Sequence, residues 1–248
     1  MQTPNPYRFD PLRASHGGRL IVYIDYKSPY AFIATDHTYA IGDALGIEFD
    51  WRPFILDIPS YLGSARLDEH GKVAESNRTP EQWSGVRYAY HDARRYAKLS
   101  NYTLRGTTKI WDSSLAGIGM QWAKANSAAV LRRYSHLVYE RFWRRELDIE
   151  DINVVMTVLL EAGAKRAGMQ DYLQGEGRAF LTATQPLIFD AGIFGVATYV
   201  LDGELFFGRE HLPYIYWKLE GEHGPAPDIA YTGMTHTGTK AAPAGHGT

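Results

Sequence analysis

The sequence predicts an α/β fold in which a βαβ unit, a long helical segment and a closing ββα unit follow one another along 248 residues. A short run rich in β-branched residues passes directly into a helix start near residue 28. Helical periodicity then dominates from about Thr79 to Gln185. Strand-type runs separated by an Asp-Gly turn return near residue 200.

The N-terminal part of the chain predicts a strand, a helix and a second strand. Leu20–Ile24 is apolar and β-branched, and Ile47–Phe54 alternates apolar and polar residues in the same sense. Between them, Pro29–Leu45 has an apolar face, with Ser28 in the N-cap position and Gly46 as a stop signal. Elements in this order, joined by short turns, form a right-handed βαβ unit.

The middle of the chain predicts a helical subdomain. Thr79-Pro80-Glu81-Gln82 opens a helix with a cap, a first-turn proline and an early acid, and this helix is expected to continue through Leu99. Further helices are predicted at Ser113–Asn126, Ala128–Glu146, Ile149–Ala162 and Met169–Thr184.

The last structured part predicts a hairpin and a closing helix. Thr198–Leu201 and Leu205–Phe207 flank Asp202-Gly203, a dipeptide typical of two-residue hairpin turns. Arg209–Leu219 follows with helical periodicity.

This order of elements is that of a thioredoxin-like fold with an all-helical domain inserted in its middle. The expected divisions are an N-terminal arm at 1–18, a discontinuous thioredoxin-like domain at 19–60 and 186–220, a helical insertion at 61–185 and a flexible tail at 221–248.

Composition limits the function classes. A net charge of −2 gives no electrostatic reason to expect nucleic acid or an anionic membrane as partner, which leaves small molecules and other proteins. The absence of cysteine excludes disulfides, thiolate metal sites and dithiol redox chemistry on the protein's own sulfur. The nine histidines have no metal-ligand spacing, so no metal is expected. The first twenty residues hold no continuous apolar stretch typical of a secretory signal, so a cytoplasmic location is expected.

Three segments resemble one known family, in the right order along the chain. They are Ser28-Pro29-Tyr30 at the helix start, the spaced set Asp92, Arg95 and Ala97, and Gly192-Ile193-Phe194-Gly195-Val196 with Gly203 and Gly208. Together they resemble the DsbA-like thioredoxin-fold family, in the branch of the 2-hydroxychromene-2-carboxylate isomerases and kappa-class glutathione transferases.

The resemblance implies a glutathione-linked activity, with glutathione or another low-molecular-weight thiol as cofactor. It implies that the Ser28 hydroxyl is the catalytic group and holds the thiol as a thiolate. Reversible addition to a small conjugated electrophile of aromatic type would give isomerisation, and addition without departure would give transfer. The cofactor-binding residues implied with it are Lys27, Pro29, Tyr30, Asn77, Val196, Ala197, Arg209 and Glu210. The family also suggests a homodimer.

Two positions depart from the family pattern. Ala197 stands where the family has a cis-proline, so the Val196–Ala197 bond is either cis before a non-proline residue or trans with a changed site. Arg209 and Glu210 stand where the family commonly has a small polar residue and an acid. The alternative function is therefore a non-catalytic, DsbA-like binding or chaperone-like protein that has lost the cis-proline glutathione site.

Two of the candidate side chains also have ordinary structural interpretations. A serine before a proline at a helix start often serves as an N-cap alone, and Ser28 can do so with or without a ligand. Lys27 either steers an anionic ligand or is a solvated turn residue. The sequence leaves both alternatives open.

Overall fold

The computed structural model describes residues 9–15 and 18–228. The remaining parts of the predicted arm at 1–18 and of the predicted tail at 221–248 lie outside the described residues. The chain divides into two compact units, the first ending at Arg209 and the second beginning at Glu210.

The elements follow the predicted order in the first unit. They are β1 (Leu20–Ile24), α1 (Pro29–Leu45), β2 (Asp50–Pro53), α2 (Ile58–Leu62), β3 (Ala65–Leu67), β4 (Val73–Ser76), α3 (Pro80–Leu99), α4 (Ser114–Asn126), α5 (Ala128–Trp143), α6 (Ile152–Glu161), α7 (Met169–Gln174), α8 (Glu176–Asp190), β5 (Thr198–Leu201) and β6 (Glu204–Phe207). A 3-10 turn at Arg209–His211 crosses into the second unit, whose helix α9 (Leu212–Glu220) ends at Gly221 with a φ of 107°.

The central sheet has four strands in the order β2-β1-β5-β6. Strand β1 runs parallel to β2 and antiparallel to β5, as a βαβ unit followed by a hairpin requires. Every residue of β1 and β5 is buried, so this pair forms the middle of the core. The predicted hairpin turn is confirmed, because Asp202 and Gly203 both have positive φ values, 51° and 88°.

The predicted signals at the ends of α1 and α3 are also confirmed. Ser28 caps α1, and Gly46 ends it in the left-handed conformation with a φ of 66°. Helix α3 begins with a full capping box, in which the side chains of Thr79 and Gln82 each accept a hydrogen bond from the other residue's backbone N–H. These helix boundaries depend on neighbouring residues, which is why the sequence reveals them.

Helix α4 is the centre of the helical region. It contacts β2 and the helices α5, α6, α7 and α8, and most of its residues are buried. Close packing requires glycine here, because a Cβ added to Gly119 would lie 2.3 Å from the hydroxyl of Tyr134 on α5. Within the described ranges, no helix combines the length and apolar character needed to cross a membrane.

Three features of the helical region differ from the sequence prediction. Strands β3 and β4 form an antiparallel hairpin that the pattern did not indicate, because its residues are mostly exposed and carry little apolar alternation. The predicted helix Met169–Thr184 is broken at Gly175, whose φ and ψ of −108° and −96° are not helical. Helix α8 then continues through Pro186 to Asp190, beyond the expected return to strands.

A buried charge cluster joins the described part of the N-terminal arm to the sheet. Arg52 is buried and forms an ion pair with Asp50, with 2.7 Å between Nη2 and Oδ2. Its guanidinium donates to the backbone carbonyls of Asp10 and Arg13 at 2.6 and 2.8 Å. The amide of Ser15 donates to Asp50 Oδ2 at 2.7 Å. This part of the arm is therefore held to the sheet by charge-assisted hydrogen bonds.

The carboxylate of Asp50 has a second cationic partner. Lys124 on α4 donates from Nζ to Asp50 Oδ1 and to the carbonyl of Trp51. Burial by itself would raise the pKa of Asp50, but the charges of Lys124 and Arg52 outweigh it and hold that pKa well below its usual range. The cluster therefore ties β2 to α4 as well as to the arm.

Candidate functional site

Ser28 lies at the turn between β1 and the N-terminus of α1. Its φ and ψ of −89° and 118° are those of an N-cap, and its Oγ accepts a hydrogen bond from the amide of Ala31 at 3.2 Å. Its hydroxyl proton has no acceptor among the described residues, and the residue is 5% exposed. The hydroxyl is therefore available to donate to an anion at the positive end of a 17-residue helix.

Asp25, three residues before Ser28, organises this turn. Its carbonyl accepts the amide of Ser28 at 3.0 Å, and its Oδ1 accepts the amide of Lys27 at 3.1 Å. Its Oδ2 accepts the amide of Leu56, beyond β2, at 2.8 Å. The Asp25 side chain is fully buried and joins the ends of two neighbouring strands. The sequence gives no indication of this role of Asp25, because an acid two residues before a lysine is a common pattern.

Lys27 is buried rather than solvated, with 6% of its surface exposed. Its Nζ lies 3.4 Å from Asp25 Oδ2, an ion-pair distance, but it donates no hydrogen bond to another described residue. The same side chain lines a large cleft in the first unit. Its ammonium therefore has donors left to serve a group in that cleft.

The cleft beside the turn has a volume of about 950 Å³. Its wall consists of Lys27, the segment after β2, the β3–β4 hairpin and the loop before α4; the lining residues are Lys27, Ile55, Leu56, Pro59, Ser64, Ala65, Arg66, Ala74, Glu75, Ser76, Asn77, Ile110, Trp111 and Asp112. The unpredicted hairpin is thus part of the cleft wall. This size suits a small organic molecule.

Asn77 lies in the same wall of the cleft as Lys27. Its Oδ1 already accepts the amide of Ser64 at 2.6 Å, so this oxygen closes the loop at the hairpin rather than facing a ligand. Arg66 in the same wall is engaged by Glu75, with 2.5 Å between Nη2 and Oε1. The Asn77 Oδ1 and the Arg66 guanidinium therefore each have a local partner.

Asp112 brings an acid into the cleft wall. Burial would raise the pKa of Asp112, but the hydrogen bond from Ser114 and the charges of Lys27 and Arg178 outweigh it and lower that pKa. The aromatic side chain of Trp111 stands beside it in the wall. The wall thus presents an aromatic surface and charges of both signs to a bound molecule.

Pro29 and Tyr30 fix the first turn of α1 against its neighbours. Pro29 occupies the first helical position, where its missing N–H costs no hydrogen bond. The Tyr30 hydroxyl donates to Asp92 Oδ2 on α3 at 3.2 Å, and Asp92 Oδ1 accepts from Arg95 Nη1 at 2.7 Å. The Asp92 and Arg95 positions of the sequence motif therefore connect α3 to the helix that begins after Ser28.

The Val196–Ala197 peptide bond is cis, the first of the two possibilities that the sequence left open. Tyr23 of β1 pairs with Thr198 of β5, so this bond lies at the carboxyl end of β1, where the chain leads to Ser28. The carbonyl of Ala197 accepts the amide of Gly208 at 3.0 Å. In the part of the chain that the structure describes, the backbone N–H and C=O of Val196 have no hydrogen-bond partner.

Arg209 and Glu210 fall on either side of the boundary between the two units. The guanidinium of Arg209 lies 3.6 Å from the ring centroid of Tyr96 on α3, a cation–π contact. Glu210 belongs to the second unit. The structure therefore gives Arg209 a packing partner on the helical region.

Comparison with known proteins shows the family. A family profile described as "DSBA-like thioredoxin domain" matches residues 19–217 of the chain. A search among curated proteins finds no match.

Solved structures with the same fold include an isomerase and two oxidoreductases. A 2-hydroxychromene-2-carboxylate isomerase aligns over 82% of this chain and 94% of its own, with a TM-score of 0.59 and 17% identity. A probable DsbA oxidoreductase from Streptomyces coelicolor aligns over 84% and 92%, with a TM-score of 0.60 and 14% identity. The cytosolic disulfide reductase DsbM from Pseudomonas aeruginosa, solved with GSH, aligns over 75% and 87%, with a TM-score of 0.51 and 18% identity.

These structural matches agree with the family profile, and at such identities they establish a likeness of fold alone. The profile covers the sheet, the helical region and most of α9. The predicted fold class and the predicted family are confirmed together. This chain belongs to the DsbA-like thioredoxin domain family.

Proposed function

We propose that this protein uses a bound low-molecular-weight thiol, with glutathione as the first candidate, to isomerise or conjugate a small conjugated electrophile. The observation that carries the proposal is the buried Ser28 hydroxyl at the N-terminus of α1, in a chain without cysteine. Because the chain has no thiol of its own, a sulfur nucleophile has to come from a bound ligand. One structure with this fold was solved with GSH, and another is an isomerase.

The residues present suit a thiol ligand. A hydrogen bond from Ser28 and the positive end of α1 both favour the thiolate over the thiol, whose reference pKa is about 8.5. No acidic residue in the first turn of α1 opposes this effect. The backbone groups of Val196, which have no partner among the described residues, are at the same end of the sheet and can pair with the peptide-like backbone of glutathione.

When bound, the thiol supplies a sulfur nucleophile that adds to, and can leave, a conjugated double bond. The protein's own groups have three tasks in this proposal. Ser28 and the α1 N-terminus hold the negative charge, Asp25 holds the turn in place, and the cleft lined by Trp111 accepts the electrophile. Isomerisation and transfer differ only in whether the sulfur leaves.

The test compares two serine N-caps of this chain. In Ser28→Ala, calorimetry with glutathione should show weakened binding, the pKa of the bound thiol should rise, and turnover of a conjugated aromatic enone should fall by about 100-fold. Ser127 caps α5 through the amide of Val130 at 3.1 Å, so Ser127→Ala is the matched control. Both variants should lose about 1 kcal/mol of stability, and only the first should lose thiol binding.

The outcomes separate the proposal from its alternative. Absence of any heat with glutathione in the wild type, together with unchanged turnover in Ser28→Ala, contradicts the proposal. Thiol or peptide binding by a wild type that turns over no enone supports the alternative, a non-catalytic DsbA-like binding protein. Recovery of thiol binding in Ser28→Thr, which keeps the hydroxyl, supports the assigned role of Ser28.

A further inference from the structure

The Lys27 side chain is largely buried, and its ammonium reaches the cleft wall with donors that the described part of the protein does not use. Its Nζ lies 3.4 Å from Asp25 Oδ2 without making a hydrogen bond. Burying a charge is costly unless it is paired and hydrogen-bonded. A cation in this state at the wall of a cleft is a donor available to a ligand.

Asp25 satisfies the charge of Lys27 but does not occupy its donors. Both oxygens of Asp25 already accept backbone amides, from Lys27 and from Leu56, at 3.1 and 2.8 Å. These bonds fix the carboxylate in the turn. The carboxylate therefore compensates the ammonium electrostatically, at 3.4 Å, while its two hydrogen bonds go to backbone amides.

The other cation of the cleft wall, Arg66, is exposed and already forms an ion pair. Arg66 is 55% exposed and is paired with Glu75 at 2.5 Å. Asp112, in the loop before α4, is an acid of the same wall, and its Oδ1 accepts the amide of Ser114 at 2.9 Å. Lys27 is thus the cation of this wall that is both buried and without a hydrogen bond among the described residues.

We propose that Lys27 binds the oxygen of a planar conjugated substrate, as a carbonyl or as the corresponding oxyanion, in the cleft that Trp111 also lines. The proposal rests on the proposed function for the reaction, and it assigns Lys27 to the electrophile rather than to the thiol. When a nucleophile adds to a conjugated double bond, a bond forms at the far carbon and the displaced electron pair moves onto the carbonyl oxygen. A buried ammonium beside that oxygen stabilises the charge it gains.

The position of Lys27 in the chain supports this division of roles. Lys27 directly precedes Ser28, so the ammonium and the hydroxyl are carried by one rigid turn that Asp25 holds. Lys27 lines the cleft, whereas Ser28 caps the helix. One turn thereby supplies separate donors for a nucleophile and for an electrophile.

The experiment measures binding to thiol-free protein, so that it does not depend on activity. The probes are 4-nitrophenolate, a planar conjugated oxyanion, and 4-nitroanisole, its uncharged analogue. The wild type should bind the phenolate more tightly than the anisole by about 10-fold or more. Lys27→Met should abolish this preference and leave the anisole affinity unchanged.

Two further variants complete the comparison. Lys98→Met removes an exposed lysine of α3 and should keep the preference. Lys27→Arg keeps the cation and should retain most of it. If Lys27→Met does not fold, Lys27→Gln, which removes the charge and keeps an N–H donor, is compared with Lys27→Arg in its place.

The outcomes are distinct for the two proposals. A wild type without phenolate preference, or a Lys27→Met variant that keeps it, overturns the role of Lys27. If the preference depends on Lys27 while Ser28→Ala leaves thiol binding unchanged, the oxyanion site stands and the proposed function falls. If Ser28→Ala loses thiol binding and Lys27→Met keeps both phenolate preference and enone turnover, the proposed function stands alone.

Discussion

The Tyr30 hydroxyl donates to Asp92 Oδ2 at 3.2 Å and joins the first turn of α1 to the middle of α3. Asp92 is 62 residues from Tyr30 along the chain and is itself held by Arg95 through a 2.7 Å hydrogen bond. Two of the segments that led to the family prediction are therefore in direct contact. The helix that carries the candidate site is fixed against the helical region by a charge-assisted hydrogen bond.

A double-mutant cycle should reveal this coupling. Tyr30→Phe and Asp92→Ala should each lower the free energy of unfolding by about 1 to 3 kcal/mol, because each removes the hydrogen bond between the two side chains. The double variant should lose less than the sum, with a coupling energy of about 1 kcal/mol. Urea denaturation of the four proteins gives these values. Strict additivity would show that the contact contributes nothing.

Asp50→Asn should be among the most destabilising single changes in the described part of the first unit. It removes the common partner of Arg52 and Lys124 and leaves two cations in a buried cluster. The expected loss is about 3 to 5 kcal/mol of unfolding free energy at neutral pH.

An exposed ion pair provides the control for Asp50. Asp43 pairs with Arg132 at 2.9 Å, and both side chains are largely exposed. Asp43→Asn should cost less than about 1 kcal/mol. Equal losses in the two variants would mean that burial of the Asp50 cluster has no energetic consequence.

Alkaline conditions should destabilise the protein through its buried tyrosines. Burial raises the pKa of Tyr23 to about 12 and that of Tyr172 to about 12, above the value of about 10 in an unfolded chain. The unfolded chain therefore releases protons first, so this contribution to stability is complete below about pH 10 and is lost as the pH rises through about 12.

Tyr23→Phe should reduce this alkaline sensitivity. Each such tyrosine adds at most about 1.4 kcal/mol of lost stability per pH unit, and the variant should show a slope smaller by up to that amount. Tyr23→Phe also loses the hydrogen bond to the carbonyl of Pro11, so its stability at neutral pH is lower. Urea unfolding at a series of pH values separates the slope from this constant loss. An unchanged slope would contradict the assignment.

Two glycines on helices should respond in opposite ways to alanine. A Cβ at Gly119 would lie 2.3 Å from the Tyr134 hydroxyl, so Gly119→Ala should destabilise the protein by about 1 to 3 kcal/mol or more. Gly85 on α3 has open space at the same position, and Gly85→Ala should stabilise by about 0.5 to 1 kcal/mol. Thermal melts of both variants check the contrast, and the same direction of change in both would refute it.

The sequence by itself determined the features that depend on neighbouring residues. The N-cap at Ser28, the stop at Gly46, the capping box at Thr79 and the Asp202-Gly203 turn all follow from local backbone preferences and short-range hydrogen bonds. The absence of cysteine likewise fixed which chemistry the chain cannot perform alone. Together with the three segments that resemble the DsbA-like family, these observations were sufficient for the fold class and for the family.

The tertiary structure decided which side chains are buried and what they contact. Lys27 is buried beside Asp25, which accepts the amide of Leu56 from 31 residues away, and Arg52 is buried between Asp50 and the described part of the arm. The β3–β4 hairpin, which the sequence did not predict, forms part of the cleft wall. Burial and pairing depend on residues distant in the chain. Local sequence patterns therefore located the turn at Ser28, and only the folded chain showed that Lys27 beside it is buried.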